Sequence, residues 1–326
     1  MSRLRMLGAV GLAAMVALDV VLVVLAVRHT HAGSPAMTGI VATPAPTASH
    51  SSTPGADPAG SPRATGGPGA TVRPALDPGA PRVLVDIGAA GAVARAATGA
   101  CGTGGATIEL SRDGGESFQR ASVPAAAVVL RVASVDAEQA WVVAAGADCA
   151  TLTTFTTTDG GGTWTPSNGS DGSWHRLPVA GARIHAPTGD VDVPCPRRLK
   201  VLGYSTLSRD QAYVLCGREG AAPVLLRTVD GGASWSDRGE MPGAVDLDFV
   251  SATTGLAAVA GNRSCAGISV HASTDSGASW KPRACVETTA GGLPDITADG
   301  DRAYLGVGEA LWFSGDGGRT WASRPA

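Results

Sequence analysis

Five aspartates, Asp113, Asp159, Asp230, Asp275 and Asp316, recur in one setting along this 326-residue chain. Carboxylates can ligate calcium or move protons, so the residues around them decide what these five are for. Two places before each stands a hydroxyl residue: Ser111, Thr157, Thr228, Ser273 or Ser314. Two places after it is a glycine: Gly115, Gly161, Gly232, Gly277 or Gly318. A second hydroxyl follows at Ser117, Thr163, Ser234, Ser279 or Thr320, and then an aromatic ring, Phe118, Trp164, Trp235, Trp280 or Trp321. Five equivalent residues cannot all line one site, and each matches a turn requirement, so these aspartates read as structural. His185 with Asp190 and Asp192 offers ligand types for a metal, but exposed polar residues between elements are usually only solvated. No catalytic, cofactor or metal set is therefore expected.

The element that suits the repeat is a tight β-hairpin turn. The aspartate accepts backbone N–H bonds, the glycine takes a positive φ, and the hydroxyls satisfy leftover backbone groups. The aromatic opens the returning strand and wedges into a core, where burying such a ring stabilises by about 1.5–3 kcal/mol. The pattern resembles the Asp-box, or bacterial neuraminidase repeat, of sialidase-like and related β-propellers. That resemblance spans residues 82–326, with five copies agreeing at five offsets. It implies boxes joining the third and fourth strands of each blade, at the rim and away from the central pocket.

From Arg82 onward, short β-rich runs alternate with Gly and Asp turns, as in a sandwich, barrel or propeller. The box aspartates lie 46, 71, 45 and 41 residues apart, and periods near 40–50 indicate one four-stranded blade each. The long second interval is read as an insertion near Pro166–Pro196, containing Trp174, Arg183, His185, Asp190 and Asp192. A second phrase precedes the boxes: Glu138-Gln139-Ala140-Trp141-Val142, Asp210-Gln211-Ala212-Tyr213-Val214 and Asp301-Arg302-Ala303-Tyr304-Leu305, with Thr254-Gly255-Leu256-Ala257 as a weaker copy. It marks the turn into each second strand. The expected fold is an all-β propeller of about five four-stranded blades, over 82–121, 125–178, 198–240, 243–285 and 292–326. Six stays open, because a blade can lack a box.

Six cysteines suit an oxidising compartment, and their spacing has no short Cys-x-x-Cys pair of the kind zinc sites use. Strands alternate direction, so the loops between second and third strands share one face with the interblade connections, opposite the boxes. Cys101, Cys149, Cys216 and Cys265 fall near the former and Cys195 and Cys285 near the latter. The pairing that follows is Cys101–Cys149, Cys195–Cys216 and Cys265–Cys285, although sequence alone leaves the connectivity open.

Arg3 and Arg5 precede an apolar run, Met6–Val27, broken only by Asp19. A run of this length spans a bilayer as a helix, which needs about 20 residues, and the arginines keep its start in the cytoplasm. The domains expected are a cytoplasmic stub at 1–5, a transmembrane signal-anchor at 6–27, a disordered linker at 28–81 and the propeller at 82–326. Ten of the chain's 21 prolines lie within 33–81, among Ala, Gly, Ser and Thr, which argues for a stalk. Cleavage after Ala32, releasing a secreted form, is the competing reading. A net charge of −3 provides no basic footprint, so nucleic acid is set aside as a partner.

By resemblance, a sialidase would hold three arginines for the substrate carboxylate, a tyrosine activated by a glutamate, an acidic aspartate and an Arg-Ile-Pro motif in the first blade. The chain's Arg-Ile pair is Arg183-Ile184, followed by His185 and outside blade one. Tyr213 and Tyr304 share a repeat position with Trp141, which suits packing. Tyr204, on the run Val201–Tyr204, is placed to line a channel, with no glutamate beside it by sequence. The expected function is a membrane-tethered, extracytoplasmic propeller that binds a protein, peptide or surface glycan without catalysis. The alternative is a sialidase-like exo-glycosidase with an atypical site, which requires carboxylates and arginines to converge at the channel.

Overall fold

The structure is a computed structural model that describes residues 77–80, 82–167, 173–261 and 264–325. The expected stub, membrane segment and nearly all of the linker lie outside the described residues. No helix among the described residues is long and apolar enough to cross a membrane.

The described chain forms six sheets arranged as the blades of a β-propeller. Blade 1 is β1 (Val83–Ile87), β2 (Val93–Ala97), β3 (Thr107–Ser111) and β4 (Gln119–Ala121). Blade 2 is β5 (Val128–Ser134), β6 (Ala140–Ala145), β7 (Leu152–Thr157) and β8 (Thr165–Ser167). Blade 3 has three strands, β9 (His175–Arg176), β10 (Arg183–Ala186) and β11 (Gly189–Asp192). Blade 4 is β12 (Lys200–Thr206), β13 (Ala212–Gly217), β14 (Val224–Thr228) and β15 (Ser236–Glu240). Blade 5 is β16 (Ala244–Phe249), β17 (Gly255–Ala260), β18 (Ile268–Ser273) and β19 (Lys281–Val286). Blade 6 is β20 (Asp295–Asp299), β21 (Arg302–Val307), β22 (Ala310–Ser314) and β23 (Ala322–Arg324). Every pairing within a blade is antiparallel and between neighbours in sequence.

The expectation of five blades is corrected to six. The stretch read as an insertion is blade 3, whose Trp174, Ile184 and Ala186 are buried with Leu199 and Val201 of the next blade. It was invisible to a count of repeats because its hairpin turns through Pro187-Thr188 and lacks the repeated aspartate turn. Its innermost strand also runs backwards. Trp174 Nε1 donates to the Ser208 carbonyl in the turn after β12, whereas Pro178, just beyond β9, has its carbonyl oxygen 3.7 Å from Cys101 Sγ on the opposite face.

Apolar content falls from the inside of each blade outward, because inner strands are covered by neighbouring blades on both faces while the outer edge meets water. In blade 4, β13 (Ala-Tyr-Val-Leu-Cys-Gly) is buried throughout, whereas β15 (Ser-Asp-Arg-Gly-Glu) is mostly exposed.

All five repeat turns close with the same bonds. In the first, Ser111 Oγ donates to Asp113 Oδ1 (2.8 Å) and accepts from Gly115 N (2.9 Å). Asp113 Oδ1 accepts from Ser117 N (2.9 Å) and Oδ2 from Ser117 Oγ (2.6 Å). The same set recurs around Asp159, Asp230, Asp275 and Asp316. Each glycine two places on has a positive φ, between 77° at Gly115 and 91° at Gly232, which a side chain would strain. The second repeated phrase has its reason here: the N–H one place after the aspartate donates to Glu138 O, Asp210 O or Asp301 O in three copies. Each of these repeat turns is thereby tied to the first turn of its own blade.

Among the described residues the six cysteines are joined as Cys101–Cys149, Cys195–Cys216 and Cys265–Cys285. Among the described residues no strand is exchanged between the first and last blades, and the seam is closed by a parallel bridge from Arg82 to Leu293 and by side chains. Arg95 Nη1 donates to Glu309 O (3.2 Å), Tyr304 Oη to Gly114 O (3.0 Å), and Arg324 pairs with Glu116.

Candidate functional site

The innermost strands surround a central cavity of about 230 Å³. Three of them carry a bulge at a matching place, between Val129 and Arg131, Val201 and Gly203, and Ala244 and Asp246. A bulge re-aims the side chains beyond it, and Arg131, Tyr204, Asp246 and Asp248 all lie beyond one and line the cavity. Gly203 is needed where it stands: a Cβ there would meet Asp246 Oδ1 at 2.6 Å. Asp86, Arg176, Asp295 and Asp299 complete the charged lining. Carboxylates and arginines therefore do converge, as the enzyme alternative requires, and their partners decide what they do.

Each of the six blade junctions is bridged by one of these side chains or by Ser205. Asp86 Oδ2 accepts from Ser134 N (2.8 Å), joining blades 1 and 2. Arg131 donates to Trp174 O, and Arg176 to Leu202 O, joining blades 2, 3 and 4. Ser205 Oγ accepts from Phe249 N (2.8 Å) while donating to Asp248 Oδ1 (2.6 Å). Asp246 Oδ2 accepts from Ile296 N (2.9 Å) and Asp248 Oδ2 from Ala298 N (2.8 Å). Asp295 Oδ2 accepts from Val85 N (2.8 Å), closing the ring. A buried amide facing the next blade has no ladder partner, and a carboxylate supplies the strongest acceptor for it.

Burial raises the pKa of these acids, Asp86 to about 6 and Asp248 to about 7. Asp246 and Asp295 are raised by burial as well, Asp295 also by the Asp246 charge beside it. Burial likewise raises the Tyr204 phenol, away from the ionised form a nucleophile needs. Tyr204 Oη lies 3.5 Å from Trp174 O, and among the described residues no glutamate lines the cavity.

The other residues singled out in the sequence lie away from the channel. The repeat-turn aspartates sit at the surface of the face opposite the cysteines, and Trp164, Trp280 and Trp321 donate Nε1–H to the carbonyl of their own glycines. Trp235 instead meets Trp174 of blade 3 edge-on, 6.3 Å between centroids. Tyr213 stacks on Phe249 at 3.6 Å and donates to Ala252 O. His185 Nδ1 lies 2.8 Å from Asp190 Oδ1 and its ring stacks on His175, while Arg183 pairs with Asp192. Among the described residues no group of three His, Cys, Asp or Glu is arranged to hold a metal ion. Sequence reasoning missed the channel aspartates, although a signal was present: charged residues alternate inside apolar strands at Val85-Asp86-Ile87 and Val245-Asp246-Leu247-Asp248-Phe249.

On the cysteine face two clefts flank the start of β1. One, of about 380 Å³, lies against blades 1, 2 and 3; the other, of about 640 Å³, lies in the seam between blades 1 and 6 and is lined by Arg95, Glu109, Arg120, Gly292 and Glu309.

These features define a six-bladed β-propeller whose channel charges join its blades and whose open clefts lie on the disulfide-bonded face. No model of a protein family matches the chain, and no curated protein sequence matches it. Among solved structures it is similar to YCF48 bound to a D1 peptide, at 14% identity over 75% of this chain and 81% of that one, with a TM-score of 0.41. It is similar to the GH74 xyloglucanase of Xanthomonas campestris at 16% identity over 72% of this chain and 45% of that one, TM-score 0.42. The fucose-specific lectin from Aleuria aurantia matches at 12% identity over 74% of this chain and 93% of that one, TM-score 0.47. At these identities the likeness extends to the fold alone.

Proposed function

We propose that this chain is a binding scaffold for a protein, peptide or glycan, carried outside the membrane by the apolar segment 6–27 and the proline-rich stretch 28–81. Its five repeat turns are read as Asp-boxes, in a non-catalytic relative of the sialidase-like propellers. One observation supports the absence of catalysis above the rest: every junction between blades is bridged by the channel's own side chains. Acids and arginines engaged in this way have a role in holding the ring that accounts for their presence in the channel without catalysis. Ligand binding then falls to the cysteine face, where the clefts are open.

The test uses the full chain purified in mild detergent, assayed for sialoside hydrolysis beside peptide and glycan arrays. Binding without hydrolysis is expected; hydrolysis above a heat-treated control contradicts the reading. For the tether, protease added to intact cells is expected to release the propeller by cutting within 28–81. A chain fully protected until lysis contradicts an outward-facing propeller.

A further inference from the structure

We propose that the outer edge of blade 3 takes up an extended, arginine-bearing segment of another protein as its fourth strand, an inference that rests on the binding function above. The edge is a second place for a partner, besides the clefts of the cysteine face. Among the described residues blade 3 ends at β11, whereas each of the other blades has a fourth strand outside its third. β11 stands where the others have that third strand. A Cβ on Gly232 of blade 4 would meet Val191 of β11, just as one on Gly277 would meet Leu225 of β14 and one on Gly115 Leu311 of β22. The register of the hairpin decides which groups face out. Its turn pairs Ala186 with Gly189, and Val193 N donates to Ala182 O. Bonded pairs alternate in an antiparallel ladder, so Val191 bonds inward to Ile184, while the N–H and C=O of Asp190 and Asp192 point away from β10. Among the described residues nothing takes up those groups. A free edge of this kind is a template for another strand.

The neighbouring turn indicates what that strand should carry. In blades 4, 5 and 6 the fourth strand presents an arginine to the repeat turn of the next blade. Arg238 on β15 donates to the Asp275 and Ser276 carbonyls (3.1 and 2.9 Å), and Arg283 on β19 to the Gly317 carbonyl (2.6 Å). Arg324 on β23 pairs with Glu116. The turn at Asp230 follows blade 3, and among the described residues no arginine donates to it. The missing strand and the missing guanidinium coincide.

The charge of the edge agrees. β10 and β11 carry Asp190 and Asp192 against Arg183 as their one arginine or lysine, and the Asp192 side chain is 89% exposed. Alternating main-chain donors and acceptors select a polypeptide over a sugar, and the carboxylates favour a basic side chain over an acidic one. Arginine suits the turn better than lysine, because its planar fork reaches two carbonyls at once, as Arg238 does.

The full chain in mild detergent would be panned against two immobilised libraries of roughly ten-residue peptides, random apart from a central arginine in one and a central glutamate in the other. Binders from the arginine library should weaken about tenfold when that arginine is changed to glutamate, the loss expected for a charged hydrogen-bonded contact. Bound peptide should slow amide exchange at Asp190 and Asp192. Asp192→Pro removes an outward N–H and spares the β10–β11 bonds, so it should abolish binding. Should that variant disturb blade 3, methylating alternate amide nitrogens of a binder provides the second test. One alternation should weaken it about tenfold, the loss of a strand's hydrogen bonds, and the other should leave it unchanged. Binders indifferent to Asp192→Pro and to both methylations overturn the proposal and leave the scaffold reading, on the cysteine face, intact. Equal yields from the two libraries overturn it too, and no yield from either takes peptide binding with it. Asp190 and Asp192 amides already slow in the free chain overturn an outside partner: the edge is then filled by the chain itself, or by a second copy if the protection rises with protein concentration.

Discussion

The rim and the channel of this propeller use the same residue in opposite ways. At the rim, the hydroxyl and N–H bonds from the residue four places on hold Asp113, Asp159, Asp230 and Asp275 down to a pKa of about 2. In the channel, burial lifts Asp86 to about 6 and Asp248 to about 7. A rim aspartate draws all of its partners from its own turn, so it is satisfied as soon as the hairpin forms. A channel aspartate accepts an N–H from another blade, 48 residues away in the chain for Asp86 and 210 for Asp295. The contrast shows that an aspartate's role here is set by whether its donors are local or supplied by ring closure.

The largest effect should come from breaking a channel joint. Asp246→Ala leaves Ile296 N–H without its acceptor and removes a counter-charge from Arg82 and Arg176; removing one partner of a buried pair costs about 3–5 kcal/mol. Urea unfolding measures this, and a loss under about 1 kcal/mol, the worth of an exposed pair, would place Asp246 in solvent-like surroundings.

Asp248→Asn sharpens the comparison through pH. Because the folded pKa is raised from 3.8 to about 7, the carboxyl's favourable contribution is complete below 3.8 and is lost as pH rises through 7. The asparagine variant, neutral throughout, should therefore gain on the wild type between pH 4 and pH 7, and parallel stability curves would contradict a buried acid. His175 works in the other direction. Burial and then the stacked His185 lower its pKa from 6.5 to about 4, so its contribution is complete above 6.5 and is lost as pH falls to 4. His175→Phe should flatten that acid limb, as read by melting temperature at pH 4 and pH 7. The smallest effect belongs to the rim. Asp230→Ala should lower the melting temperature by less than Asp246→Ala and leave ligand binding unchanged, because its bonds run only to Thr228 and Ser234.

This ordering also explains which parts of the molecule were legible in the chain. The repeat turns were readable because all their donors and acceptors lie within a few residues, so residue type and offset carry the whole geometry. The faces of the strands followed from that frame, and with them the side on which the cysteines meet. Blade 3 was not readable as a blade. Its turn through Pro187 and Thr188 lacks the box, and β9 has only two residues, too short for any periodicity. Tyr204 was placed in the channel by its apolar run, but its neighbours Arg176 and Asp246 come from other blades, and only closure of the ring brings them together.

Amide hydrogen exchange at Val85, Ser134, Ile296 and Ala298 in the full chain tests most directly that the channel aspartates hold the blades together. Each of these amides donates to an aspartate of a neighbouring blade. They should exchange as slowly as ladder amides in β13 and β17, and Ile296 should lose that protection selectively in Asp246→Ala. Exchange at all four as fast as in exposed loops would contradict the joints and return the channel acids to candidacy for chemistry.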